Sequence, residues 1–259
     1  MHASLVAFKH WLLSHAVFKP QVVCSPRPAR QVASASLHHV SPTLPSSGLA
    51  KGQPHKANVM PLSFAIERSE TWMVKCAALV DAITFAASNR GRVSVSLHHL
   101  CVEHHTGIHT LVEQGVYGSA FALFRPQFEA YVRGAWYHFC ASESQLNKFL
   151  KGSDPPPINT LIAELEGKGG FDGGSLSRMK SQVWSNLNDF THGGVTQVKA
   201  RNTRDEIVQN YQPEHVVGLL TSSATMALLA GVGIAAVTNN DALAVRLRNE
   251  YRSVYEAAA

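Results

Sequence analysis

Apolar residues recur at helical spacing from Leu62 almost to the end of this 259-residue chain. The pattern predicts helices over 62–88, 94–114, 116–141, 158–168, 174–192, 213–237 and 241–256. The interruptions between them carry helix-stop chemistry. Asn89-Arg90-Gly91 reads as the close of the first helix, and Gly115 and Gly118 mark the second break. Asp154-Pro155-Pro156-Pro157 forces a loop before Ile158. The glycine-rich run 167–174 is a connector, with Ser175 as the expected N-cap of the helix that follows. Pro213-Glu214 and Asn240-Asp241 open the last two helices. No stretch alternates convincingly as a strand, although Thr196–Ala200 reads as short and extended. The predicted fold is all-α, a helical bundle of about six to seven helices.

One of these helices raises a membrane question. Val216 to Val237 carries no charge and is, at about 20 residues, long enough to span a bilayer. Its middle, Thr221-Ser222-Ser223-Ala224-Thr225, is small and polar, and Gly218, Gly231 and Gly233 lower its hydrophobicity further. A buried central helix accounts for it, and no membrane is expected.

Charge divides the chain in two. No Asp or Glu precedes Glu67, whereas Lys9, Lys19, Arg27, Arg30, Lys51 and Lys56 all lie in that acid-free stretch. Without those six, 17 basic residues face 18 acidic ones, so the net charge of +5 belongs to the N-terminal segment. A broadly basic folded surface of the kind that binds nucleic acid is therefore not indicated. Residues 1–60 are rich in Ser, Pro, Ala and His and lack periodicity, which predicts a disordered tail. Translated upstream sequence with Met60 as the start, a transit-like presequence and a plain tail all remain open. The bundle domain is expected over 61–259.

Candidate chemistry concentrates in two segments. Arg125, Glu129 and Arg133 are spaced i, i+4, i+8 on one helix face, with Trp136 close to the same stripe. Asp189 and His192 are i, i+3 neighbours just before the Gly193-Gly194 stop. Buried among apolar residues, such groups must pair. The simplest arrangement joins both segments across the bundle, with Arg125 and Arg133 as anion contacts, Glu129 as their partner, and Asp189 and His192 as the opposing wall. A buried arginine fork suits carboxylate or phosphate. The alternative is a structural ion-pair ladder. A third cluster, His98, Cys101, His105 and His109, shares a helical stripe of metal-ligating types, but one helix cannot surround a tetrahedral ion, so a metal-binding bundle, the further alternative, would need ligands such as Glu129 or Asp189 from another helix. These histidines are expected at the surface, and no metal or cofactor is predicted. The cysteines Cys24, Cys76, Cys101 and Cys140 form no CxxC pair and read as thiols of a reducing, cytoplasmic compartment. Walker, Gly-x-Ser-x-Gly, His-Glu-x-x-His and Rossmann signatures are absent.

The pairing of an Arg-Pro-x-x-Glu helix with a later helix ending in Asp-x-x-His-Gly-Gly resembles a group of uncharacterised bacterial helical proteins, related in outline to the HEPN bundles. The resemblance covers about residues 65–255 and is carried by Arg125, Pro126, Glu129, Arg133, Trp136, Asp189, His192 and Gly193. HEPN ribonucleases of toxin–antitoxin and abortive-infection systems use an Arg-x(4–6)-His motif at a dimer interface. Arg133 with His138 fits that spacing, as does Arg92 with His98 or His99. The resemblance thus implies a HEPN-like bundle, RNA or a protein as partner, a homodimer, and His192, Arg133 and His138 as the catalytic candidates. A non-catalytic interaction module is the rival class.

Overall fold

The computed structural model describes residues 60–81, 83–85, 88–168, 171 and 173–256. The expectations about the N-terminal tail, Cys24 included, lie outside the described residues. Nine helices occur among those described: α1 Leu62–Val80, α2 Asn89–Glu113, α3 Tyr117–Phe139, α4 Glu143–Leu150, α5 Ile158–Glu166, α6 Ser175–His192, α7 Val195–Lys199, α8 Pro213–Val237 and α9 Asp241–Tyr255. The only β feature among them is an isolated bridge between Asn202 and Ile207. The chain is all-α.

Four local readings need correction, each for a capping reason. The first helix stops at Val80, not near 88, and Ser88 opens the second by accepting from the Gly91 backbone N–H at 3.1 Å. Asn89-Arg90-Gly91 is therefore a helix start. An unforeseen helix, α4, is nucleated by a capping box between Ser142 and Gln145. Gly174, with φ 67°, precedes α6 in the cap position expected of Ser175. Thr196–Ala200, expected to be extended, belongs largely to the short helix α7, whose first turn is satisfied by a carboxylate described below.

α3 and α8 sandwich α2, and α3 also touches α8; α1 and α9 cover the far side of α8, while α5 and α6 lie against α3. Trp72, Phe124, Phe128, Trp136, Tyr137, Ile108, Leu161 and Leu219 fill the interior. Burying one such side chain contributes about 1.5–3 kcal/mol. α8 is long and apolar enough to cross a membrane, yet 61% of its most apolar stretch is buried inside the bundle. That is the environment of a core helix. Arg90 ties the end of α3 to α4: its guanidinium donates to the Tyr137 and Ala141 carbonyls at 2.6 and 2.7 Å and pairs with Glu143 at 2.6 Å.

Candidate functional site

Two stripes of four-residue spacing face each other where α3 meets α6. α3 contributes Arg125, Glu129 and Arg133. α6 contributes Lys180, Trp184, Asn188 and His192, all on one face of the helix. Glu129 stands between the arginines, accepting from Arg125 Nε at 2.9 Å and from an Arg133 terminal N–H at 2.8 Å. Arg125 then crosses to α6, where one terminal nitrogen donates to Asn188 Oδ1 at 2.8 Å and to His192 Nε2 at 3.0 Å. Arginine can only donate, so Nε2 accepts and the ring proton sits on Nδ1. The Arg125 guanidinium also lies 4.8 Å from the Trp184 ring centre, and Lys180 Nζ lies 4.5 Å from the same ring. Phe128 meets that indole edge-on.

Exposure decides what this ladder is. The side chains of Arg125, Glu129 and Arg133 are 25%, 17% and 39% exposed. The groove is neither sealed nor fully solvated. Arg133 gives one N–H to Glu129, and a guanidinium carries five, so donors remain near the surface. Two arginines and Lys180 against one carboxylate leave a local surplus of positive charge.

Asp189 does not join this wall. One position on from Asn188, it is turned about 100° around α6. Its Oδ2 instead accepts from the Thr196 backbone N–H at 3.0 Å and hydroxyl at 2.6 Å. These two bonds hold its carboxyl below the usual range. Gly193, at φ 70°, turns the chain out of α6, and any side chain at Gly194 would collide with the Asp189 carboxylate. Asp-x-x-His-Gly-Gly is thus a joint that stops α6, starts α7 and leaves His192 on the last turn.

Trp136 and His138 also stand apart. Trp136 is fully buried and donates its indole N–H to Glu164 Oε2 at 2.7 Å. His138 is five residues from Arg133, about 140° around the same helix. It packs on Phe139, and burial, then the charge of Arg90, lowers its pKa. The structure brings together Arg125, Glu129, Arg133 and His192. Asn188, Trp184 and Lys180 complete the group, and their four-residue spacing from His192 was the signal that could have found them.

The α2 histidines reverse expectation. His98, His105 and His109 are 1%, 1% and 3% exposed, inside the bundle and not on its surface. Small partners make room for them. His105 Nδ1 pairs with the Ser223 hydroxyl at 2.9 Å and His109 Nδ1 with Ser69 at 3.2 Å, while His98 lies between Gly134 and Gly233. Burial drives the pKa of His98 and His105 down to about 3. Among the described residues no group of three or more His, Cys, Asp or Glu could hold a metal ion. Cys76 and Cys101 are buried free thiols, their pKa values raised by desolvation, and Cys140 is a half-buried one.

A family model matches residues 98–257, from the middle of α2 to just past α9. The chain belongs to the DUF6988 family. DUF6988 is a family of unknown function, and its match takes in every residue of the α3–α6 ladder and the Asp189 joint. No curated protein and no solved structure matches the chain.

Proposed function

We propose that the α3–α6 groove of this DUF6988 protein receives an oxyanion in the cytoplasm, and that its occupant is an RNA phosphate, as the HEPN-like resemblance implies. The observation that carries the reading is the partly exposed pair of arginines splinted by one carboxylate, with the His192 imidazole held at 3.0 Å from Arg125. Arg133 supplies the outer contacts and Arg125 the inner ones, while Glu129 holds both forks. In the catalytic form, the phosphate draws the Arg125 N–H away from His192 Nε2, and the freed nitrogen takes the proton from a ribose 2′-hydroxyl whose oxygen attacks phosphorus. The same imidazole returns the proton to the departing 5′-oxygen, and an arginine offsets the charge that builds on the phosphate. His192 is the base in this scheme, not the half-buried His138. Free thiols at Cys76, Cys101 and Cys140 suit a reducing compartment.

A second reading has its own support. Arg125 already spends two bonds on Asn188 and His192 of this chain, as a clamp setting helix register would. The protein would then be an interaction module without catalysis. RNA binding and cleavage by the full chain, with Arg133→Ala, His192→Ala and His138→Ala, separates the two. The groove reading expects Arg133→Ala to weaken binding at unchanged melting temperature. It also expects His192→Ala to stop cleavage with binding kept, and His138→Ala to leave cleavage intact. No RNA bound or cut, together with a lower melting temperature for His192→Ala, would establish the clamp instead.

A further inference from the structure

The inner stripe of α2 carries hydroxyl, imidazole and thiol groups from Ser94 to His109, all sealed. Ser94, His98, Cys101, His105 and His109 all face neighbouring helices, none more than 3% exposed. Ser94 donates to the Gly134 carbonyl at 2.8 Å, and Cys101 meets the Met226 carbonyl at 3.6 Å. Gln127 of α3 reaches between helices, donating to the Cys101 carbonyl at 3.1 Å and the Ser223 carbonyl at 3.0 Å. Yet His98 Nδ1, His105 Nε2 and Gln127 Oε1 are buried without a partner among the described residues. The fit around His98 is tight. A Cβ at Gly233 would stand 2.5 Å from its Nε2, and one at Gly134 would stand 2.9 Å from its Cε1.

We propose that this seam is an acid-operated latch: with neutral imidazoles it closes α2 onto α3 and α8, and with protonated ones it drives the three helices apart. A second N–H on either ring would bring a full charge into a dry interior, where Ser223 and Gln127 offer only neutral oxygens and no carboxylate among the causes of either shift balances it. The groups facing these rings do not relieve that charge. From α3, His98 meets the Tyr131 ring at 5.7 Å and feels the charge of His138, while from α8 Gly233 packs against it. His105 meets Ser223 from α8 and is influenced by His109 on its own helix, which faces Ser69 of α1. The Tyr131 phenol and the thiols of Cys76 and Cys101, all buried, are further titratable neighbours along the stripe. The charges that reach these rings are other histidines.

The pH window follows from the rings' folded values of about 3 against an ordinary value of 6.5. Between those limits the open state binds more protons, so closure is complete above pH 6.5 and weakens as pH falls. Each ring contributes up to tenfold per pH unit to the opening constant, and two contribute up to about a hundredfold. α3 bears the arginine ladder on its other side, so opening would dismantle the groove as well. Only that consequence rests on the proposed function.

Labelling of Cys101 by an acid-active pyridyl disulfide tests the latch, with rates normalised to an unfolded peptide. The full chain is compared with His98→Asn/His105→Asn, in which each amide replaces Nδ1 without titrating, and with the exposed control His99→Asn. Wild type and control should gain up to about a hundredfold in opening between pH 6 and pH 5. The double variant should be nearly flat. The same slope in the double variant would overturn the latch. Should that variant fail to fold, imidazole NMR of the wild type decides: titration of His98 or His105 near pH 6.5 in the closed protein overturns the proposal, and silence until opening supports it.

Discussion

His105 and His192 each sit about one hydrogen bond from a neighbouring helix, and they are held in opposite ways. His105 is sealed, with a serine hydroxyl on one nitrogen and no hydrogen-bond partner for the other among the described residues. His192 is exposed, and its Nε2 faces an arginine that is itself bound to a carboxylate. The two sites lie on opposite sides of α3, whose inner face carries Gln127, Tyr131 and Gly134 and whose outer face carries Arg125, Glu129 and Arg133. Full charges occur on the face that keeps water contact. The dry face tolerates polarity only as uncharged groups, because an unpaired charge there would cost far more than a neutral amide or imidazole. Tightness distinguishes the sides too: the inner seam closes on glycine, the outer one on long, half-solvated side chains.

The strongest way to break this comparison is to overfill the inner seam. Gly233→Ala should destabilise the protein by about 2–3 kcal/mol, since its Cβ would stand within 2.9 Å of three atoms of the buried His98 ring. A urea unfolding midpoint measures this, and adding His98→Asn should recover part of it. A neutral Gly233→Ala would mean that the seam is loose. Next in size is Arg125→Ala, which removes bonds to Glu129, Asn188 and His192 at a quarter-exposed position and should cost about 1–2 kcal/mol. A loss equal to that of Gly233→Ala would show the ladder to be as sealed as the seam. Asp189→Ala should lower the melting temperature less than either change, through loss of the two bonds to Thr196. Its effect carries a pH signature. The carboxyl is held below its ordinary range, so its contribution is present at neutral pH and disappears as pH falls through the folded value. Wild type and variant should therefore converge in acid. The smallest change is Arg133→Ala, at a few tenths of a kcal/mol, because a single i, i+4 pair whose arginine keeps water contact contributes little. Its loss should appear in anion binding instead.

Much of the fold was legible because helix periodicity and breaker residues act locally. The proline loop before Ile158, the Pro213 start of α8 and the Asn240 cap of α9 could be read from a few consecutive residues. Where the reading slipped, a cap was ambiguous: Asn89-Arg90-Gly91 suits a helix end, but the Ser88 side chain makes it a beginning. The ladder was also visible, since i, i+4 spacing alone places Arg125, Glu129 and Arg133 together.

Spacing also placed His98, Cys101, His105 and His109 on one stripe, but not inside the bundle. Histidine is polar enough for water and flat enough for a gap between glycines, and Gly134 and Gly233 are 99 residues apart in sequence. The identity of the groove's far wall had the same character. Asn188 and Asp189 are adjacent, and only the rotation of α6 against α3 decides which one meets Arg125. Sequence by itself determined most of the helices and which side chains share a face, because those depend on backbone geometry within a few residues; α4, α7 and the end of α1 escaped it, since their caps could be read in more than one way. Tertiary structure alone decided which faces are dry and which groups meet across them, because desolvation and pairing depend on neighbours brought together from distant parts of the chain.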